Sequence, residues 1–206
     1  MVALVNYGVG NLFSLQSSLT AIGEEAIVAT SREELARADR ILLPGVGAFE
    51  DAVTKLRASG LADAILAEVA AGKPLLGICL GMQLLFERSL EYGTHEGLGL
   101  LRGEVRPIAE VIPKGLKIPH IGWNALHIEK DSPLLSHVKE GDCVYFVHSF
   151  YATGCEDSLI ASTEYGAPLT AAVQKGNVFG CQFHPEKSGE VGLSILKAFC
   201  RMEVAE

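Results

Sequence analysis

Short apolar runs and runs of helical period alternate along the first half of the chain. Val2–Val5 is a continuous apolar run, followed by the turn-forming Gly8-Val9-Gly10-Asn11. Leu12, Leu15, Leu19 and Ile22 then recur at the spacing of one helix face. Glu25–Ala29 predicts a second strand. Ser31 and Glu34 have capping-box spacing and open a helix over Arg32–Ala38. Ile41–Leu43 predicts a third strand, cut off by Pro44-Gly45. Phe49–Ala58 and Leu61–Ala71 predict helices separated by Gly60. Pro74–Ile78 predicts a fourth strand, and Met82–Arg88 the start of another helix. This alternation predicts a three-layer α/β fold, with a mostly parallel central sheet and helices on both faces.

The second half reads differently. Leu98–Val173 is rich in short β-type runs punctuated by Gly, Pro and Asp. Val144–Tyr151 and Val178–Phe183 are the clearest strands, and Val191–Met202 returns to helical spacing. No internal repeat, low-complexity stretch or linker interrupts the chain. Its 206 residues are within reach of one hydrophobic core, so one domain over 1–206 is expected.

Composition narrows the function classes. Apolar residues are 49%, enough for a substantial core. The formal net charge of -8 argues against nucleic acid or an anionic membrane as a general partner. The apolar runs fall far short of the roughly 20 residues that a membrane span needs. The N-terminus has no basic region or small-residue cleavage site, so it reads as a first strand and a cytoplasmic location is expected. Five cysteines, Cys79, Cys143, Cys155, Cys181 and Cys200, make an odd count with no CxxC pair. Neither a disulfide frame nor a zinc site is indicated, and no cofactor is expected. Most of these thiols should be buried.

One of them stands apart. Gly77-Ile78-Cys79-Leu80-Gly81 follows an apolar strand and opens a helix, the pattern of a nucleophile elbow. A tight strand-to-helix turn lifts the nucleophile above the sheet, and glycines on either side relieve Cβ clashes. The helix N-terminus favours a thiolate, and the Leu80 N–H points toward a developing oxyanion. In isolation the same pattern also describes a structural cysteine.

A thiolate needs a base, and the base an orienting acceptor. Phe183-His184-Pro185-Glu186 supplies both, with His184 and Glu186 sharing a face if the segment is extended. Pro44-Gly45-Val46-Gly47 should lie at the carboxyl end of a parallel strand, on the rim that carries Cys79. There its backbone N–H groups can meet an oxyanion. Gly45 and Gly47 would let the peptides around Val46 rotate, giving a switch. His95, His127 and His137 lie in polar surroundings and should be solvated. His120 and His148 flank β-type runs and should be satisfied inside the fold. Lys55, Arg57 and Lys187, the basic residues nearest the site, have solvation as their default.

Together these motifs resemble the triad-type, class I glutamine amidotransferases over nearly the whole chain, a flavodoxin-like fold. Within that family the resemblance is strongest to the glutaminase subunits of imidazole glycerol phosphate synthase. It rests on Tyr7-Gly8-x-Gly10-Asn11-Leu12, Pro44–Phe49, GICLGMQ at Gly77–Gln83, Gly122-Trp123-Asn124, YFVHSF at Tyr145–Phe150 and FHPEKS at Phe183–Ser188. The resemblance implies a triad of Cys79, His184 and Glu186, and oxyanion donors at Val46 and Leu80. It implies glutamine contacts at Gly47, Gln83, Ser149 and Phe150. Asn11, Trp123, Tyr145 and Lys187 would form the rim that docks a barrel-shaped synthase (cyclase) subunit, giving a heterodimer in histidine biosynthesis. Ammonia from glutamine would pass to that subunit.

Other readings remain open. The ammonia acceptor can differ, as in anthranilate or aminodeoxychorismate synthesis, although Val46 and the Gly122-Trp123-Asn124 run argue against this. A free-standing cysteine hydrolase of γ-glutamyl compounds or peptides would use the same triad. A non-catalytic scaffold is disfavoured because Cys, His and Glu are all present.

Overall fold

A computed structural model describes residues 1–202. The first half contains β1 (Val2–Val5), α1 (Leu12–Ala21), β2 (Ala26–Ala29), α2 (Arg32–Arg37), β3 (Arg40–Gly45), α3 (Phe49–Ala58), α4 (Leu61–Ala70) and β4 (Leu75–Cys79). Next come α5 (Leu80–Gln83), β5 (Phe86–Ser89), β6 (His95–Glu96), β7 (Leu101–Pro107), β8 (His120–Ala125) and β9 (His127–Ile128). The chain continues through β10 (Cys143–His148), β11 (Phe150–Thr153), β12 (Leu159–Glu164), β13 (Pro168–Lys175) and β14 (Val178–Cys181) to α6 (Gly189–Arg201). None of the helices among the described residues is long and apolar enough to cross a membrane.

The main sheet has the order β2-β1-β3-β4-β14-β13-β12-β9. Its first five strands are parallel and its last three antiparallel. Strand periodicity sorts the core into two layers. Ala3, Val5, Ile41, Leu43 and Leu75 pack under α2, α3 and α4. Val2, Leu4, Leu42, Leu76 and Ile78 pack against Leu15 and Leu19 of α1 and Ile195, Leu196 and Phe199 of α6. Burying each of these large side chains contributes about 1.5–3 kcal/mol, and that fixes the helices on both faces. The expected three-layer architecture is therefore present. The β-rich second half adds two further sheets, β10-β8 and β11-β7-β5-β6.

Three expected elements differ. The third strand is not cut off at Leu43, since Pro44 and Gly45 pair with Ile78 and Cys79. β1 borders β3 only as far as Leu42, so Pro44 lies where one flank is open and its missing N–H breaks no two-sided ladder. The helix expected over Met82–Arg88 ends at Gln83. The carbonyls of Leu84, Leu85 and Phe86 accept from Leu98, Leu100, Leu101 and Gly99, so tertiary pairing takes the groups a helix would have used. The strand expected over Val144–Tyr151 is two strands, β10 and β11, in different sheets. Ser149 lies at the break, its carbonyl accepting from the Ile108 N–H.

Gly77 and Gly81 serve close packing rather than unusual dihedrals, because neither has a positive φ. A Cβ on Gly81 would overlap the Leu43 carbonyl oxygen, and one on Gly77 would lie 2.7 Å from the Met82 backbone. Gly81→Ala should therefore destabilise the fold by about 1–3 kcal/mol or more, as overpacking does. Urea unfolding checks this, and an unchanged midpoint would show that the turn is not clamped against β3.

Candidate active site

Parallel strands β3, β4 and β14 end on the same side of the sheet, and their carboxyl ends meet at Cys79. Cys79 leaves β4 with φ 55 and leads directly into α5. A side chain in the left-handed region is strained, by about 1–3 kcal/mol. Among the described residues the other non-glycine residue with positive φ is Tyr92, at 52. Both line one pocket. Cys79 itself is only 8% exposed.

The base arrives from the adjacent strand. β14 lies beside β4, with Cys181 opposite Ile78, so the residues after Cys181 run alongside the elbow. Phe183 points into the core against Phe146, with ring centroids 5.7 Å apart. Its neighbours Gln182 and His184 therefore share the opposite face. The His184 N–H donates to the Tyr145 carbonyl at 2.9 Å. Pro185 then starts a 3-10 turn over Pro185–Lys187. The expectation that His184 and Glu186 share one face of an extended segment is thus corrected: the turn carries Glu186 back beneath the ring.

The contact is close all the same. His184 Nδ1 donates to Glu186 Oε1 at 2.8 Å, and the two side chains are 4% and 2% exposed. Ser188 braces the turn by donating to the His184 carbonyl at 2.6 Å and accepting the Tyr145 N–H at 3.0 Å. With Nδ1 committed, Nε2 is left without a hydrogen-bond partner and is the nitrogen free for chemistry. Burial disfavours charge on this imidazole, but the sulfur of Cys79 and the carboxylate of Glu186 outweigh it. They raise the His184 pKa to about 9.

The sulfur has two further neighbours. The Val147 carbonyl lies 3.9 Å away, and the Gln182 side-chain amide donates from 3.7 Å. Gln83 donates one amide hydrogen to Gln182 Oε1 at 2.9 Å and another to the Phe150 carbonyl at 3.1 Å. Both its hydrogens are committed, so only Oε1 can meet a ligand.

The pocket has a volume of about 410 Å³. It brings together Cys79, His184, Val46, Gly47, Leu80, Gln83, Ser149, Phe150 and Lys187 of the residues singled out from sequence. Glu186 stands behind His184. Trp123, expected at a docking rim, is 55% exposed and packs edge-to-face on Tyr145 at 6.1 Å. Lys187 lies 5.8 Å over the same Tyr145 ring, which joins this cluster to the pocket. Asn11 is the N-cap of α1, its Oδ1 accepting the Ser14 N–H.

The remaining histidines and thiols mostly follow expectation. His120 and His148 are buried, with ring nitrogens 3.0 Å apart, and His148 Nδ1 donates to the Phe150 carbonyl at 2.8 Å. Burial holds the His148 pKa down at about 4. His95 is not solvated as expected: its Nε2 is enclosed, and its ring leans toward Glu50. Cys155, Cys181 and Cys200 are buried and Cys143 is exposed. Burial raises the pKa of all three buried thiols, with Glu186 and Cys79 adding to the effect at Cys181.

Four functional candidates were missed from sequence. Glu91 is a buried carboxylate in the pocket wall, tied on one oxygen by the Phe49 N–H at 2.7 Å. Tyr92 is beside it, and neither carries a pattern signal. Tyr7 donates its hydroxyl to the Pro44 carbonyl at 2.8 Å and so braces the loop that follows β3. Gln182 did carry a signal, its two-residue spacing from His184.

Comparison with known proteins gives the family. Residues 3–202 match the model of the class-I glutamine amidotransferase family. The imidazole glycerol phosphate synthase subunit HisH of Caldanaerobacter subterraneus subsp. tengcongensis is 51% identical, covering 98% of each chain. The same subunit of Bacillus licheniformis is 52% identical, covering 97% of this chain and 95% of the relative. Among solved structures, a crystal structure of glutamine amidotransferase superposes with a TM-score of 0.75 at 21% identity, covering 97% of this chain and 100% of that one. PurLQS from Thermotoga maritima also superposes at 0.75, with 21% identity and 97% and 96% coverage. The two structural likenesses speak for the fold alone, whereas the family model spans nearly every described residue; the chain belongs to the class-I glutamine amidotransferases.

Proposed function

We propose that this chain is the glutaminase subunit of an imidazole glycerol phosphate synthase, hydrolysing glutamine and passing the ammonia to a barrel-shaped synthase partner. The observation that carries the chemistry is the convergence of Cys79, His184 and Glu186 at one pocket, with His184 Nε2 left free. The relatives at about half identity over the full chain carry the subunit assignment.

The steps follow from the geometry. The Cys79 sulfur attacks the side-chain amide carbon of glutamine. Charge gathers on the amide oxygen, where the Leu80 and Val46 N–H groups stabilise it. His184 gives its proton to the departing nitrogen, which leaves as ammonia, and a glutamyl thioester remains on sulfur. His184 then takes a proton from water as it attacks the thioester, and glutamate is released. Glu186 fixes the tautomer and holds the ring in place. At the other end of the substrate, the Glu91 carboxylate and Gln83 Oε1 suit the α-ammonium. The Ser149–Phe150 backbone suits the α-carboxylate.

The loop after β3 is the candidate switch. Its two glycines have different surroundings. A Cβ on Gly45 would lie 2.8 Å from the Gly81 nitrogen, so this residue is closely packed. Gly47 has φ +95 and open space around it. The Val46–Gly47 peptide is the hinge that would aim an N–H or a carbonyl at the oxyanion, and the partner with its nucleotide would favour the former. The exposed Trp123–Tyr145–Lys187 cluster beside the pocket is the docking surface, together with Asn11 at the start of α1.

Three outcomes test this reading. Cys79→Ala should abolish glutamine-dependent synthesis by the assembled enzyme yet preserve ammonia-dependent synthesis. Glutamine turnover surviving in that variant would remove Cys79 from its role. Trp123→Ala should weaken complex formation while the melting temperature of the free subunit stays put, and unchanged affinity by titration would remove Trp123 from the interface.

The third concerns pH. The reacting form needs protonated His184, whose pKa is raised to about 9. Protonation persists through neutral pH and is lost as pH rises through about 9. Glutaminase turnover should therefore fall on that alkaline limb, with ammonia-dependent synthesis as the control. A fall centred near the ordinary imidazole value of about 6.5 would contradict the proposed environment of His184.

A further inference from the structure

We infer that Gln182 is a second hydrogen-bond donor to the nucleophile, holding the Cys79 sulfur in line and coupling it to the substrate-binding wall. The inference rests on the glutaminase reading for its meaning, but its geometry stands independently.

Gln182 follows β14 directly and is fully buried. Its backbone is fixed, the N–H donating to the Ala171 carbonyl at 2.8 Å. The side chain is fixed at both ends. Oε1 accepts from Gln83 at 2.9 Å, and this sets which end of the amide faces the sulfur. Nε2 therefore points at Cys79 Sγ, 3.7 Å away.

The chemistry favours the thiolate. A buried amide hydrogen needs an acceptor, and an anionic sulfur is a far better one than a thiol. The opposite neighbour, the Val147 carbonyl at 3.9 Å, presents its negative end and favours S–H instead. With only 8% of Cys79 exposed, water supplies little help. Gln182 and His184 approach from the same strand end and leave the sulfur a single open direction, toward the pocket. The chain Phe150 carbonyl–Gln83–Gln182–Cys79 also means that a shift of Gln83 on glutamine binding is transmitted to the sulfur.

The test compares Gln182→Met, which keeps length but removes the donor, with Gln182→Glu, which is a donor only when protonated. Two readouts are used: iodoacetamide alkylation of Cys79, which needs no glutamine chemistry, and steady-state glutaminase kinetics of the synthase complex. In Gln182→Met, alkylation at pH 7 and kcat should both fall about tenfold or more, the size of one hydrogen bond to a charged group. KM should stay within a few-fold. In Gln182→Glu, the alkylation rate relative to wild type should climb as pH falls and the carboxyl regains its proton. Gln83→Ala, which removes the contact that orients the Gln182 amide, should raise KM and also slow alkylation, though by less than Gln182→Met does.

Wild-type alkylation and kcat in a normally melting Gln182→Met protein would overturn the inference. So would a rise in KM alone, which would make Gln182 only a support for Gln83. If Gln182→Met does not fold, a pH-independent rate ratio for Gln182→Glu overturns it. Absence of glutaminase activity in the wild-type complex would defeat the functional reading, while the alkylation comparison would still decide the role of Gln182.

Discussion

A nucleophilic sulfur that water scarcely reaches must find its hydrogen-bond partners at fixed positions in the protein, and the site is arranged around that need. The sheet order answers it. β14 lies parallel to β4 although about a hundred residues separate them. The chain leaving β14 thus passes directly beside the turn leaving β4. Residues on alternate positions of that segment, Gln182 and His184, face the sulfur, while Phe183 between them anchors the segment in the core. No other strand neighbour would bring a donor and a base to the same atom with so little loop.

The strain stored at the elbow is matched by packing around it. Cys79 sits at φ 55, directly beneath a helix of four residues, too short to be stable alone. Leu80 and Met82 are buried against the layer that contains α3 and α4, and Gly81 lies flush on β3. Close contact over-determines the turn, which is the condition for an unfavourable backbone to persist. The loop after β3 is built oppositely. Gly45 is packed against Gly81 while Gly47 stands in open space, so the room for a peptide to turn lies at Val46–Gly47. Rigidity at the nucleophile and freedom one strand away are both consequences of which glycines touch backbone.

Much of this was legible in the sequence because it depends on local pattern. Short continuous apolar runs marked β1 to β4, period-3.6 runs marked the first four helices and α6 to within a few residues, and the capping box at Ser31 formed as expected. The glycine frame around Cys79 marked the elbow without any partner. What escaped depended on pairing across distance. The Leu84–Phe86 segment reads as helix until the carbonyls are claimed by residues 98–101. Val144–Tyr151 reads as one strand, since nothing local announces that its two halves join different sheets. Glu91 looks like any surface acid until the fold buries it.

The central claim is that glutamine passes through a covalent bond to Cys79. Rapid acid quenching of the synthase complex during glutamine turnover, followed by peptide mass spectrometry, measures this directly. The account predicts a glutamyl adduct on the peptide containing Cys79 and on none of those containing Cys143, Cys155, Cys181 or Cys200. Steady consumption of glutamine with no adduct on Cys79, or with the adduct on another cysteine, would contradict it.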